Sequence, residues 1–183
     1  MVCTGNLCRS PMAQVLLQAS LEDRAQVSSA GVLAMTQPAD PQAVRVCAQA
    51  GLDLRQHLAT RLSPELIDTV GADLVLGMSR RHVMTIIEQV PSAWDRTFTY
   101  REFADRAAMA PRAASESVKA WVARLAWGRE LSAWASAGGS EMDVADPIGR
   151  GRWRFRRSFH EIEQLTQQIN QAWGFHENHE ESP

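Results

Sequence analysis

Near the start of the chain, Cys3-Thr4-Gly5-Asn6-Leu7-Cys8-Arg9-Ser10 brings a thiol, a guanidinium and a hydroxyl into one short segment. A cysteine, five intervening residues, an arginine and a hydroxyl residue suit one task, the holding of a tetrahedral oxyanion over a thiolate. Gly5 is expected to let the backbone turn tightly, and Asn6 tolerates left-handed dihedrals that most residues avoid. The successive amides of Thr4, Gly5, Asn6, Leu7, Cys8, Arg9 and Ser10 can then point inward as an anion-binding nest. Ser10-Pro11 reads as a helix start, because proline suits the first helical turn. The helix N-terminus would aim partial positive charge at the same point. Arg9 adds a planar fork of donors for two phosphate oxygens. The same groups favour the thiolate form of Cys3, and the Ser10 hydroxyl can donate to it. A thiolate beneath a bound phosphate is placed for in-line attack on phosphorus.

The run Val2-Cys3-Thr4-Gly5-Asn6-Leu7-Cys8-Arg9-Ser10-Pro11-Met12-Ala13 resembles the low-molecular-weight protein tyrosine phosphatases. Ser29-Ala30-Gly31 is similar to that family's second strand and following turn, and Ala72-Asp73-Leu74-Val75-Leu76-Gly77-Met78 to its third strand. Asp146-Pro147 stands where the family keeps its general acid, before the last helix. The matches run in order over most of the chain, to about residue 173. The resemblance implies a single-domain α/β fold, an open parallel sheet flanked by helices. It implies a cytoplasmic bacterial phosphomonoester hydrolase that dephosphorylates phosphotyrosine proteins, a bacterial tyrosine kinase being one candidate substrate. Cys3 would attack phosphorus while protonated Asp146 gives its proton to the leaving phenolate, leaving a phosphocysteine. Ionised Asp146 would then take a proton from the water that attacks this intermediate. Loop amides and Arg9 would stabilise the transition state, with no metal or cofactor required.

Two departures from the family are visible. Only Met1 and Val2 precede Cys3, whereas sheet strands usually run about 5–6 residues. The first strand is therefore expected to be largely missing, as in a chain with a late-placed start or a truncated product, and such a chain is expected to be poorly soluble or inactive alone. The second departure is in the pocket walls. Ile148 follows Pro147, and Val32-Leu33-Ala34-Met35-Thr36 contains no aromatic residue. Leu33 and Met35 can still pack against a phenyl ring.

Two readings from other classes compete. An arsenate reductase shares this fold and a similar loop, but it passes oxidation to two further cysteines after the third strand. Here Gly77-Met78-Ser79-Arg80-Arg81-His82 has no cysteine, and Cys47, read as a small core residue, is a single candidate in the wrong place. A non-catalytic phosphate-binding module is the other, opposed by the joint presence of Cys3, Arg9, Ser10 and Asp146. Cys8 has two readings of its own. It forms a reversible redox disulfide with Cys3, or it only packs under the loop.

The rest of the sequence must position these groups. At 183 residues and 45% hydrophobic content, one domain with a proper core is expected. No apolar stretch reaches the roughly 20 residues of a membrane span. A net charge of −2 gives no general attraction to nucleic acid. An odd count of 3 cysteines, two of them in one loop, argues against a disulfide scaffold and suits a reducing compartment. Met12, Val15, Leu16 and Ala19 predict an apolar stripe on a first helix. Asp40-Pro41 opens a second helix with Val44 and Cys47 inward, and Gly51 closes it. Ser63-Pro64-Glu65 starts a short third helix. Asp73 to Met78 reads as a buried strand, Ser79 caps the next helix, and Thr97-Phe98-Thr99 reads as a fourth strand. Residues 100–142 read as an insertion, with one helix carrying Val118, Trp121, Val122, Leu125 and Trp134 and then a linker at Ala137-Gly138-Gly139-Ser140. Phe155, Phe159, Ile162, Ile169 and Trp173 mark a long amphipathic helix. Arg150, Arg152, Arg154, Arg156 and Arg157 at its start suit steering of an anionic phosphoprotein, contact with nucleic acid, or simple solvation. His57 and His82 resemble family positions near the sheet and receive no catalytic role. Residues 174–183, with His176 and His179, read as a disordered tail.

Overall fold

The computed structural model describes residues 1–69, 71–137 and 139–174. The tail reading, with His176 and His179, falls outside them from residue 175 onward, as does Gly138 of the expected linker.

Four short parallel strands form one sheet. β1 (Val2–Cys3) lies between β2 (Ala30–Gly31) and β3 (Val75–Gly77), and β4 (Thr97–Thr99) extends the β3 side. Cys3 pairs with Gly31, Val2 with both Ala30 and Gly77, and Leu76 with Phe98. Although β1 has only two residues, it is bonded on both sides. Ala30 N–H donates to Met1 O at 2.9 Å, Val32 N–H to Cys3 O at 3.0 Å and Met78 N–H to Val2 O at 2.8 Å. Side chains alternate between faces. Val2, Ala30 and Val75 pack with Val83 and Ile86 on one side. Cys3, Leu76 and Phe98 pack with Met12, Tyr100 and Ile162 on the other. Burial on both faces explains strands that read as apolar runs rather than alternating ones.

α1 (Arg9–Leu21) packs against α8 (Gly151–Ala172) beside β1. Its buried face is Met12, Ala13, Leu17 and Leu21; Val15 and Leu16 are only half-buried, and Ala19 is exposed. Of the expected stripe, Met12 is in the core, while Val15, Leu16 and Ala19 are turned away from it. Apolar residues occur almost all round this helix, so periodicity alone does not single out one face. α2 (Pro41–Gln49) begins where the Asp40 carboxylate accepts from Gln42 N–H at 2.8 Å, and Gly51 leaves it at φ +76°. α3 (Pro64–Thr69) and α4 (Arg80–Gln89) follow. Ser79 Oγ accepts from His82 N–H at 3.4 Å at the start of α4.

The stretch from Tyr100 holds three helices where one was expected: α5 (Tyr100–Met109), α6 (Val118–Ala126) and α7 (Leu131–Ser136). α5 belongs to the core, packing on α8 with Tyr100 and Phe103 fully buried. A charged residue on its buried face hides it from a search for apolar spacing. Glu102 is 4% exposed, and its carboxylate is bound by Arg129 Nε at 2.8 Å and by Trp134 Nε1 at 3.2 Å. Arg129 stacks in turn between Trp94 and Phe98, 4.0 and 4.1 Å from their ring centres. A buried carboxylate is tolerated only with such partners. Among the described residues, no helix is long and apolar enough to cross a membrane.

Candidate active site

The sheet order places the carboxyl end of β1 where the chain switches direction, with β2 reached on one side and β3 on the other. Open parallel sheets leave a crevice at such a point. The loop from Cys3 to Ser10 fills it and runs directly into α1. Cys3, 3% exposed, receives two hydrogen bonds at sulfur, from Ser10 Oγ at 3.0 Å and from Asn6 N–H at 3.2 Å. Both are donors, so they stabilise negative charge on the sulfur.

Asn6 is the residue that turns the loop, at φ 55°. Its fully buried side chain is also the loop's internal brace. Nδ2 donates to Ser10 Oγ at 3.0 Å and to Ser29 Oγ at 2.8 Å, while Oδ1 accepts from Thr60 N–H at 2.8 Å. Gly5 does not have the role expected of it. Its φ is not left-handed, and a Cβ there would meet only the Leu7 side chain, at an ordinary 3.5 Å from Cγ and 3.6 Å from Cδ1. The glycine that the loop requires is Gly31. A Cβ on it would lie 2.8 Å from both Asn6 N and Thr4 O and 2.9 Å from Gly5 C. β2 therefore presses its bare backbone against the underside of the loop.

Arg9 is buried, with 7% of its side chain exposed. Nη1 donates to Val144 O at 3.1 Å, and Nη2 reaches Asp146 Oδ2 at 2.5 Å. The structure thus brings Cys3, Arg9, Ser10 and Asp146 together from opposite ends of the chain. The segment bearing Asp146 is pinned at its root. Val144 N–H donates to Met78 O at 2.9 Å, and the Asp143 carboxylate accepts from Arg80 N–H at 2.8 Å at the start of α4. Asp146 itself is half exposed, and its Oδ1 accepts from Ile148 N–H at 3.1 Å. A larger cleft of about 340 Å³, between Asp73, Asp95 and Lys119, contains no residue of this loop or of the acid segment.

The comparisons with known proteins agree with this geometry. The profile of the family described as "Low molecular weight phosphotyrosine protein phosphatase" matches residues 1–112. The chain belongs to this family. It is 39% identical over 141 residues to "Probable low molecular weight protein-tyrosine-phosphatase EpsP" of Ralstonia solanacearum, covering 68% of this chain and 92% of that one. It is 30% identical over 172 residues to a protein-arginine-phosphatase of Bacillus subtilis, covering 92% and 91%. Among solved structures, the arginine phosphatase YwlE of Geobacillus stearothermophilus superposes with a TM-score of 0.69 at 30% identity, covering 93% of this chain and 88% of that chain. The chain is therefore a phosphatase and a hydrolase, in a family with both tyrosine- and arginine-directed relatives.

Two histidines of this phosphatase, given no role from sequence, hold the loop from outside. His57 Nε2–H donates to Asn6 O at 2.8 Å. His82 bridges Thr4 Oγ1 at 2.9 Å and Ser79 Oγ at 2.8 Å. Burial, with help from the nearby Arg9 and Arg81 and against the pull of Asp146, lowers the His82 pKa to about 4. It is a neutral bridge at neutral pH. No motif spacing signals these contacts. The glycine ending Ser29-Ala30-Gly31 was the one available hint, since glycine inside a strand often marks a close backbone approach. The other cysteines are buried free thiols. Burial pushes the Cys47 thiol up to about 12. Burial also pushes the Cys8 thiol well above its ordinary range, with the charges of Asp40, Cys3 and Asp146 adding and Arg9 opposing.

Proposed function

We propose that this phosphatase dephosphorylates phosphotyrosine proteins through a phosphocysteine on Cys3, with Asp146 as general acid and base. The observation that carries the reading is the doubly hydrogen-bonded Cys3 sulfur at the floor of a loop whose arginine already touches Asp146. A phosphate entering the loop competes with Asp146 for the Arg9 fork. Its oxygens take donors on Arg9, and the Asp146 carboxylate, freed from the guanidinium, takes up a proton from solvent and faces the leaving oxygen. Sulfur attacks phosphorus, the P–O bond to the phenol breaks, and the Asp146 proton goes to that oxygen. Water then attacks phosphorus, Asp146 accepts its proton, and the P–S bond breaks to return the Cys3 thiolate. Ser10 Oγ supports the sulfur both as nucleophile and as leaving group.

The tyrosine side of the family is favoured by what flanks the loop. Leu33, Met35 and Ile148 are exposed, on the segments after β2 and after Asp146-Pro147. Leu33 N–H donates to Thr4 O at 2.9 Å, which fixes that wall beside the loop. Exposed apolar side chains suit a phenyl ring, whereas the N–H groups of a phosphorylated guanidinium would need acceptors there. On matched peptides differing only in the phosphorylated residue, kcat/KM for phosphotyrosine is expected to exceed that for phosphoarginine by at least about tenfold, the scale of one unpaired polar contact. The reverse order would assign the chain to arginine substrates.

Cys8 bears on regulation of the same reading. Peroxide converts the Cys3 thiolate to a sulfenic acid, and the Cys8 thiol condenses with it to a disulfide, releasing water. Inactivation by mild peroxide should therefore be reversed by a thiol reductant, with a Cys3–Cys8 link visible in the peptide mass map. Equal recovery in Cys8→Ala would remove Cys8 from this role.

A further inference from the structure

Between Asp146 and Glu161 the chain carries five arginines and no acidic residue, in a protein of net charge −2. All five are exposed, and none is ion-paired to a carboxylate among the described residues. Arg154 and Arg157, three residues apart, share one face of α8, and Arg150, the residue just before that helix, lies beside them at the same cleft. This small cleft, of about 110 Å³, is also lined by Asp146 and Pro147, with Glu161 at its far end. Glu161 is engaged by Arg101 through Oε1 and, among the described residues, forms no ion pair with the five arginines. Trp153, 62% exposed, lies under the Arg154 and Arg157 guanidinium groups, 5.3 and 5.6 Å from its ring centre. It offers an apolar edge beside the positive charge.

We infer that this cleft binds a second phosphate on the same substrate, close in sequence to the one being hydrolysed. The inference rests on the reading of Cys3 and Asp146 given above and adds a substrate class to it, multiply phosphorylated peptide segments. Three exposed arginines lining one cleft suit a dianionic tetrahedral group better than a single carboxylate. Adjacency sets the spacing. Asp146 belongs both to this cleft and to the Arg9 contact, so the second group lies one to three residues from the first, about 3–10 Å along an extended chain. Nucleic acid is the other polyanion such a patch could hold. The narrow cleft and its contact with the acid segment favour the phosphopeptide.

The test measures binding to the Cys3→Ser protein by fluorescence anisotropy, so that no turnover intervenes. Three peptides of one sequence are compared, carrying one phosphotyrosine, two phosphotyrosines two residues apart, or one phosphotyrosine with glutamate at the second position. The doubly phosphorylated peptide should bind at least about tenfold tighter than the other two. The preference should collapse in Arg150→Ala/Arg154→Ala/Arg157→Ala and persist in Arg55→Ala, an exposed arginine elsewhere. Equal affinity for the single and double phosphopeptides would overturn the inference, whether or not the triple variant folds. So would glutamate matching the second phosphate, or tighter binding of a single-stranded DNA 12-mer. Equal affinities for peptides that the parent enzyme hydrolyses leave the active-site reading intact. Absence of both binding and hydrolysis of any of them overturns both.

Discussion

Replacing Cys3 with serine is expected to bring aryl phosphate turnover down to background. The two groups bonded to the sulfur, Ser10 Oγ and Asn6 N–H, are donors. They stabilise a thiolate but cannot take a proton from an alcohol, and a serine hydroxyl without a base is a poor nucleophile. The companion change, Asp146→Asn, should slow hydrolysis of phenyl phosphate by about 10²–10⁴, the range that general acid–base help supplies. That deficit should shrink for 4-nitrophenyl phosphate, whose leaving group departs without a proton. Steady-state rates on the two substrates decide the matter. An equal loss on both would mean that Asp146 acts only through its bond to Arg9 and is not the proton donor. Full activity in Cys3→Ser would remove the phosphocysteine altogether.

Gly31→Ala is the second large effect, and it comes from a residue that touches no substrate. One methyl group at this position would sit within 2.9 Å of three backbone atoms of the loop, at Thr4, Gly5 and Asn6. Backbone cannot swing aside as a side-chain tip can, so the loop must lift or β2 must shift. Overpacking of this kind typically costs about 1–3 kcal/mol. A displacement of about 1 Å in a catalytic group can cost about 100-fold in rate. We expect kcat to fall by about that factor and the melting temperature to drop. Gly5→Ala should be far milder, because its Cβ would meet only the Leu7 side chain at 3.5 Å. If the two variants behave alike, β2 does not brace the loop as described.

Much of the site was legible in the order of residues, for a local reason. The cysteine, the arginine and the hydroxyl lie within one loop and the start of one helix, so their spacing already implies convergence. The caps at Asp40 and Ser79 were equally readable, because they act on amides two or three residues away. The inner face of α1 was not, since a helix apolar nearly all round gives no phase. α5 escaped because Glu102 occupies its buried face, and that carboxylate is tolerated only through Arg129, Arg106 and Trp134. Those partners lie in other turns or helices, invisible to a search for apolar repeats.

By itself, the sequence determined the kind of chemistry: a thiol, a guanidinium and a nest of amides in one loop, and a carboxyl group before a long amphipathic helix. Only the tertiary structure decided how that loop is held and what faces it. Asn6 at φ 55° is braced by Ser29 and Thr60, His82 reaches Thr4, and Gly31 leaves room for the turn. The physical reason is the parallel sheet. It brings the carboxyl ends of β1, β2 and β3 to one edge, so residues far apart along the chain meet within hydrogen-bond distance there. Sequence spacing carries no trace of such contacts, because strand order and register, rather than any local repeat, create them.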